Sequence, residues 1–177
     1  MLAALTTCWA KRFVLLEVSD FRRENCPLSA LTLGVKCGTS DATSGIAGNP
    51  CVGAAFDQLI RAGGTAFFSE TTEIIGAEDL VAKRAVNESV AKKILSAARH
   101  WEDKAKATGE DIRKINPIPA NIAAGISSLE EKSLGAIAKS GTSPIQDVLK
   151  YAEMPKGSGL YFVDSWMSSL SLPLCLT

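Results

Sequence analysis

The chain has 177 residues, enough for one domain with a substantial hydrophobic core. Acidic and basic side chains balance at 19 each, so no excess of one sign predicts binding to nucleic acid or to a membrane surface. No apolar run has the length of a membrane span, and the first residues lack the pattern of a signal peptide. The five cysteines form no C-x-x-C pair and His100 is the only histidine, which argues against a disulfide framework or a zinc site and favours a cytoplasmic location.

One stretch organises the prediction, because it contains a strand, a loop, a helix and a second strand in succession. Leu31–Val35 is apolar and suits a buried strand, and Thr65–Ser69 suits the next one. Between them, Asn49 as N-cap and Pro50 at the first helical position predict a helix that runs to about Arg61. This connection predicts parallel strands, with the polar loops that follow them on one edge of the sheet, where ligands usually bind.

Capping residues and apolar spacing predict the other elements. Asn87 is expected to cap a long helix, and Ser127 and Ser128 each precede a glutamate by three residues, which is the spacing of a capping box. In chain order we predict a strand at Phe13–Val18, a loop at Thr71–Ile75, a short helix at Ala77–Ala85, the helix after Asn87, a loop at Thr108–Asn121, a helix through about Ser140, a short helix at Pro144–Ala152 and a strand at Gly159–Asp164. We therefore predict an α/β fold with a mainly parallel sheet flanked by helices in Rossmann-like layers. One domain is expected at 31–165, after a poorly defined segment 1–30 and before an unassigned tail 166–177.

The glycine-rich loop after the first strand carries the first group of candidate site residues. Backbone N–H groups at a helix start bind carboxylates, and serine, aspartate and a lysine with a lowered pKa supply hydroxyl contacts and a base. The candidates are Lys36, Cys37, Ser40, Asp41, Ser44 and Asn49. The alternative is that glycine and serine only shape a tight turn. For Cys37 the choice lies between a metal ligand or nucleophile and a small core residue.

Carboxylates and a second basic turn form the other candidate groups. Glu70, Glu73 and Glu78 follow the second strand, where they suit a hard cation or acid–base chemistry; Glu70, at the strand end, is the better candidate. For Glu73 and Glu78 a structural role is the alternative, which for Glu78 is a charge that stabilises the first turn of a helix. Further along the chain lie Glu130, Glu131 and Lys132 at a helix start, and Lys139 to Thr142 in a basic turn that suits a carboxylate.

Three sequence blocks carry a resemblance to a known family. KCGTSDATSGIAGNP, GGTAFFSETTEIIGAE and LEEKSLGAIAKSGTSP occur in this order. Together they resemble the carboxyl-terminal part of the altronate and galactarate dehydratases, a family that includes the large subunit of sulfolactate sulfo-lyase. The resemblance covers about Leu31 to Asp164. It shifts the interpretation of the glycine-rich loop from a tight turn towards a site.

The resemblance implies a carbon–oxygen hydro-lyase that converts an aldonate or aldarate to a 2-keto-3-deoxy acid. The residues expected to be catalytic are Lys36, Asp41, Glu130 and Lys132, and those expected to bind substrate are Ser40, Ser44, Asn49, Lys139 and Thr142. A divalent metal, Fe²⁺ in family members, would stabilise the enediolate. Its ligands are expected largely outside this chain, with Glu70 and Cys37 as weak candidates, so we predict no tight transition-metal binding by the chain alone.

The sequence also departs from the family pattern. Thr39 stands where the family usually has glycine, and Ala123 and Ala124 lie in a stretch that is usually richer in glycine. Family enzymes are considerably longer, with an amino-terminal metal-binding module, so we expect a fragment, a separate subunit or a degraded copy. The expected partners are a small sugar acid, that amino-terminal module or subunit, and a further copy in a homo-oligomer. The alternatives are a sulfolactate sulfo-lyase-type subunit and a non-catalytic subunit for acid binding or assembly.

Overall fold

A computed structural model describes residues 19–20, 22–38 and 40–166. The predicted strand at Phe13–Val18 and all but the first residue of the predicted tail lie outside the described residues.

Four parallel strands form the centre of the described structure. They are β1 (Thr32–Val35), β2 (Thr65–Ser69), β3 (Ile145–Leu149) and β4 (Gly159–Val163), and their order across the sheet is β1-β2-β4-β3. Each neighbouring pair runs parallel. The carboxyl ends of all four strands therefore lie at one edge of the sheet. The predicted α/β class with a parallel sheet is confirmed.

Seven α-helices connect or follow these strands in the described part of the chain. They are α1 (Asn49–Arg61), α2 (Thr71–Ile74), α3 (Glu78–Ala82), α4 (Glu88–Ala107), α5 (Ile112–Ile115), α6 (Pro119–Ala123) and α7 (Leu129–Ile137), with a π-helical turn at Ser44–Gly48 and 3₁₀ turns at Leu28–Ala30 and Ala138–Ser140. Asn87 caps α4, since its Oδ1 accepts a hydrogen bond from the Val90 N–H at 3.0 Å. Ser128 caps α7 in the same way, through the Glu131 N–H at 3.2 Å. Both predicted caps are confirmed. No helix among the described residues is long and apolar enough to cross a membrane.

The hydrophobic core lies between one face of the sheet and the helices. Phe68 of β2 and Phe162 of β4 are almost fully buried there, and their ring centroids lie 5.1 Å apart. Helices α1 to α4 add Phe56, Ile74, Val81, Val90 and Ile94 to this cluster, and strands β3 and β4 add Ile145 and Leu160. Because side chains alternate across a strand, Phe67 and Tyr161 point to the opposite face, where a second cluster consists of strand residues only.

The structure corrects four predictions about these elements. Among the described strands β1 lies at the edge of the sheet, and it is exposed where a buried strand was predicted, with Leu33 39% exposed. The segment Pro144–Ala152 contains strand β3 and no helix, since Ile145 is buried while Gln146 is exposed, as alternation on a strand requires. Thr71–Ile74 is a helical turn where a loop was predicted. The predicted long loop after α4 contains the short helix α5 and the start of α6.

Candidate acid–base site

Two loops meet at the carboxyl edge of the sheet, as predicted. The loop after β1 brings Cys37 next to Glu70, which follows β2 directly. The Cys37 N–H donates to the Glu70 carboxylate at 2.8 Å. This contact exists because β1 and β2 are parallel neighbours, with Val35 in register with Phe68. The sheet thus joins two polar segments that lie 33 residues apart in the sequence.

Four side chains form a cluster at this edge: the half-buried Cys37 and the buried Glu70, Glu73 and Lys139. Glu70 is 5% exposed, Glu73 is 8% exposed and Lys139 is 3% exposed. The ammonium group of Lys139 forms a hydrogen-bonded ion pair with Glu73 and lies 3.6 Å from a carboxylate oxygen of Glu70. The Sγ of Cys37 and one oxygen of each carboxylate all lie within 4.8 Å of one another. We call these four residues the acid–lysine cluster.

The backbone at Glu70 is strained and is held from both sides. Its φ of 77° and ψ of 80° lie in the left-handed region, which residues other than glycine rarely adopt. Such a conformation costs of order 1–3 kcal/mol and persists only where the surroundings enforce it. Here the Thr71 N–H donates to the Ser165 carbonyl at 2.9 Å, and the Thr71 hydroxyl donates to Asp164 at 2.7 Å. The turn directs the Glu70 side chain towards the loop that carries Cys37.

The protonation states of the cluster differ from one residue to the next. Burial, and then the carboxylate of Glu73, raise the pKa of the Cys37 thiol to about 11. Burial, and then Glu73, also raise the pKa of Glu70 above its ordinary value. Burial opposes ionisation of Glu73 as well, but the charge of Lys139 and the hydrogen bonds from Cys37, Lys139 and Glu70 together outweigh it, so the pKa of Glu73 falls below its ordinary value. The cluster therefore combines a neutral thiol, a carboxyl group that holds its proton more readily and a carboxylate that stays ionised.

A rigid turn fixes the lysine of the cluster. Both oxygens of Asp57 on α1 accept hydrogen bonds from the backbone and hydroxyl groups of Thr142 and Ser143, at 2.6–3.0 Å. Arg84 holds the same turn from another side, through the hydroxyl and carbonyl of Ser140 at 2.8 and 3.1 Å. These bonds fix the backbone on the carboxyl-terminal side of Lys139, so its side chain points inward.

A cavity of about 290 Å³ adjoins the cluster. Its lining includes Ser40, Asp41, Ser44, Asn49, Lys132 and Gly135. None of the four residues of the acid–lysine cluster lines this cavity, but Ser40 links the two, because its hydroxyl lies 3.4 Å from the Sγ of Cys37. The volume is close to the lower end of the range for small-molecule sites, roughly 300 Å³. The cavity thus has the size of a small-ligand site, and Ser40 connects it to the acid and base groups of the cluster.

The structure brings most of the predicted residues to the cluster or the cavity but leaves three of them outside, Lys36, Glu130 and Thr142. Lys36 and Glu130 are exposed and make no hydrogen bond or ion pair with any described residue. Lys36 and Cys37 both lie in the loop directly after β1, where Cys37 is half-buried and its neighbour Lys36 is exposed. Glu130 lies in the first turn of α7, where its charge is stabilised by the helix dipole. The geometry gives neither residue a direct part in the cluster.

Several predicted residues line the cavity while serving the local fold. Asp41 accepts hydrogen bonds from Thr43 at 2.7 Å and from the N–H and hydroxyl of Ser44 at 2.8 and 3.0 Å. The Thr43 hydroxyl and then Ser44 lower the pKa of Asp41. Asn49 is not an N-cap, because a π-helical turn runs directly into α1; its side chain donates to the Gly135 carbonyl at 2.8 Å. Free N–H groups for a carboxylate are therefore absent at this point of the described chain.

Lys132 and Thr142 have well-defined partners in the fold. The ammonium of Lys132 donates to Asn116 at 2.6 Å and to Asn121 at 2.8 Å. The buried Asn121 in turn donates to the Ser40 carbonyl at 3.0 Å, so it connects Lys132 to the loop of the cavity. The Thr142 N–H and hydroxyl are both used by Asp57, which leaves that residue as part of the turn and not of the cavity.

Sequence reasoning missed the roles of three residues. The sequence did not decide whether Glu73 has a site role or a structural one. Its spacing of three residues from Glu70 places both side chains on one side of a helical turn. Lys139 was expected to bind substrate from a surface turn, but it pairs with the two glutamates. Asp57 lies 85 residues from the turn that it holds, and no local pattern in the sequence marks this contact.

The fold and the cluster together define an α/β domain with a cluster of acidic and basic side chains at the carboxyl edge of a parallel sheet. Residues 28–172 match the family described as D-galactarate/altronate dehydratase, C-terminal. The chain belongs to this family, as the three sequence blocks predicted. All residues of the acid–lysine cluster and the cavity lie within the matched segment.

Curated relatives show which enzymes share this segment. The chain is 44% identical over 146 residues to galactarate dehydratase (L-threo-forming) of Escherichia coli strain K12, which covers 82% of the chain and 28% of that relative. It is 45% identical over 139 residues to altronate dehydratase of Bacillus subtilis strain 168, and this match covers 78% of the chain and 28% of that relative. It is 41% identical over 151 residues to (2R)-sulfolactate sulfo-lyase subunit beta of Chromohalobacter salexigens, and this match covers 83% of the chain and 38% of that relative. The chain therefore spans between about a quarter and two fifths of the length of these relatives.

Proposed function

We propose that this chain forms part of a hydro-lyase that removes water from an aldonate or aldarate and yields a 2-keto-3-deoxy acid. The observation that carries the proposal is the buried acid–lysine cluster next to a cavity of about 290 Å³ at the carboxyl edge of the sheet. Membership of the dehydratase family supports the reaction type. The share of the relatives that the chain spans supports a module or subunit of a larger enzyme.

The cluster supplies two groups that dehydration requires. The reaction removes a proton from the carbon next to the carboxylate, and the hydroxyl on the following carbon leaves with a proton. Glu73 is the better proton acceptor, because Lys139 keeps it ionised. Glu70 is the better donor, because its pKa is raised by burial and by Glu73. Pairs of carboxyl groups whose pKa values are driven apart commonly divide acid and base roles in this way.

The cavity residues are proposed to hold the substrate. Ser40 and Lys132 lie on the cavity wall and offer a hydroxyl and an ammonium group to the hydroxyls and the carboxylate of a sugar acid. Ser40 lies nearest the cluster, through its contact with Cys37. The reacting carbons would thus be placed towards Glu70 and Glu73, with the distal carboxylate towards Lys132.

A divalent metal, which the family resemblance implies, does not fit the cluster as it is arranged. Cys37, Glu70 and Glu73 offer a thiol sulfur and two carboxylate oxygens, a donor set that suits a transition metal. However, the ammonium of Lys139 already contacts both carboxylates, and the thiol holds its proton at neutral pH. We therefore propose that the ligands of such a metal lie outside this cluster, and no step above depends on it.

A second candidate is the elimination of sulfite from a sulfonated hydroxy acid. The similarity to (2R)-sulfolactate sulfo-lyase subunit beta favours this reaction, and the match covers 38% of that relative. The same proton abstraction next to a carboxylate precedes departure of sulfite, so the acid–lysine cluster serves either reaction. The two substrate classes differ in the leaving group and in size, since sulfolactate has three carbons and altronate and galactarate have six.

A chimeric enzyme tests both candidates. Residues 28–172 would replace the matched segment of the Bacillus subtilis altronate dehydratase, and the purified chimera would be assayed with altronate, galactarate and sulfolactate under reducing conditions with Fe²⁺. Keto-acid formation from the sugar acids supports the hydro-lyase, whereas sulfite release from sulfolactate alone supports the second candidate. Binding of a sugar acid without turnover, measured by calorimetry, would favour a non-catalytic acid-binding subunit.

Matched variants connect the result to the cluster. Glu70→Gln and Glu73→Gln should each lower kcat by about 10²-fold or more, because general acid–base catalysis commonly contributes 10²–10⁴-fold. Glu110→Gln changes a fully solvated glutamate and should leave kcat unchanged. Lys36→Ala tests the role predicted from the sequence and, from its exposed position, should alter kcat little. Near-normal turnover by the Glu73→Gln chimera would refute the proposed base.

A further inference from the structure

The acid–lysine cluster contains the donor atoms of a metal site together with a cation of its own. The Sγ of Cys37 and the carboxylate oxygens of Glu70 and Glu73 lie within 4.8 Å of one another, a spacing that one metal ion can bridge. The ammonium of Lys139 is ion-paired with Glu73 and lies 3.6 Å from Glu70. It therefore occupies the region from which a metal ion would contact the same oxygens.

The lysine is buried and its backbone cannot easily withdraw. Lys139 is 3% exposed, and the 3₁₀ turn that carries it packs against α1 at Gly53. That contact is so close that a Cβ on Gly53 would lie 2.3 Å from the Ala138 carbonyl oxygen. Asp57 and Arg84 hold the following residues through hydrogen bonds. Moving the ammonium out of the cluster would require this turn to shift or the side chain to leave its partners.

The charges agree with a cluster that is complete without a metal. Two buried carboxyl groups face one ammonium, and the Cys37 thiol is protonated, since burial and the nearby Glu73 raise its pKa to about 11. A metal ion bound to sulfur requires the thiolate. It would also bring two further positive charges next to the ammonium within a poorly solvated site, where like charges repel strongly.

We propose that the ammonium of Lys139 takes the place of a metal ion among Cys37, Glu70 and Glu73, so that divalent cations bind this cluster only when that charge is removed. The inference concerns binding alone and stands independently of the proposed reaction. Replacing Lys139 by an uncharged side chain leaves two buried carboxyl groups and a thiol without a cation. One divalent ion then satisfies all three donors.

Cobalt binding to the purified chain tests the proposal, with Co²⁺ as a spectroscopic probe. The wild-type chain should show no thiolate-to-cobalt charge-transfer band at micromolar Co²⁺. Lys139→Met should bind one Co²⁺ with this band, at least about 100-fold more tightly than wild type. Lys139→Met combined with Cys37→Ser should lose the band. Lys132→Met is the control, because the ammonium of Lys132 donates to amide oxygens of Asn116 and Asn121 and lies outside the cluster. This variant should bind Co²⁺ no more tightly than the wild type.

Each outcome decides the question. Stoichiometric Co²⁺ binding by the wild type with a Cys37-dependent band would overturn the proposal, as would a folded Lys139→Met variant that binds no Co²⁺. Lys139→Gln provides a second variant if the first does not fold. If both variants are unfolded without metal, folding on addition of Co²⁺ supports the proposal, since ligands that bind only the native state stabilise it. Variants that remain unfolded with Co²⁺ count against it.

Discussion

Asp57 should contribute measurably to stability because one carboxylate organises an entire turn. Its two oxygens accept hydrogen bonds from four donor groups of Thr142 and Ser143 at 2.6–3.0 Å. Asp57→Asn keeps one oxygen and turns an NH₂ group towards donors that have no acceptor left. Hydrogen bonds to charged groups contribute about 1.5–3 kcal/mol each. Allowing for the loss of two such bonds and for the partial exposure of the turn, we expect a loss of about 2 kcal/mol in the free energy of unfolding.

Urea denaturation monitored by circular dichroism measures this loss, and the melting temperature should fall by about 4–8 °C for a domain of this size. Asp103→Asn is the matched control, because Asp103 is exposed and has no partner among the described residues. Hydrogen bonds to Ser143 and Thr142 outweigh burial and lower the pKa of Asp57, so its stabilisation is complete above the unfolded-state pKa of about 3.9 and is lost as the pH falls through the lower folded-state pKa. The difference between wild type and Asp57→Asn should therefore shrink in acid. A difference below about 0.5 kcal/mol at neutral pH, or one that is unchanged in acid, would refute the reasoning.

Three further substitutions test the packing around the site. Gly53→Ala should lower the free energy of unfolding in urea by about 1–3 kcal/mol, because its Cβ would lie 2.3 Å from the Ala138 carbonyl oxygen. Gly48→Ala is the control, because a Cβ there meets open space, and it should be neutral or slightly stabilising. Asn121→Ala should cost about 2 kcal/mol, because it removes bonds to the Lys132 ammonium and the Ser40 carbonyl, and a variant as stable as wild type would show that these bonds contribute nothing. Phe68→Ala should cost about 3–5 kcal/mol, because this ring is 1% exposed in the core.

The sequence predicted those parts of the fold that depend on local signals. The cap at Asn87 and the strand Thr65–Ser69 were located correctly, because a capping side chain and a bounded β-branched and aromatic run act within a few residues. Strand β3 was mistaken for a helix because its five residues are too few to reveal a period. The exposure of β1 was missed because an apolar run shows that a strand exists but does not show its position in the sheet.

The candidate site could likewise be predicted from the sequence only in part. The meeting of the loops after β1 and β2 followed from strand order and parallel pairing, and the structure confirms it through the hydrogen bond between Cys37 and Glu70. The placement of Lys139 did not follow, because it depends on Asp57, Gly53 and Arg84, which lie more than 50 residues away in sequence and act through tertiary contacts. Local chemistry thus identified the segments of the site, and tertiary packing selected which side chains enter it.

The position of Lys139 connects the fold to the chemistry through a single physical cause. Two carboxyl groups buried this close to each other cannot both ionise without a cation, because their repulsion and desolvation oppose it. The ammonium stabilises the charge of Glu73 more than that of Glu70, because it pairs with Glu73 and lies further from Glu70. One carboxylate therefore stays charged while the pKa of the other rises, and this inequality is what separates a proton acceptor from a proton donor. The turn held by Asp57 fixes the distance on which the inequality depends, so a contact outside the acid–lysine cluster influences the protonation states within it.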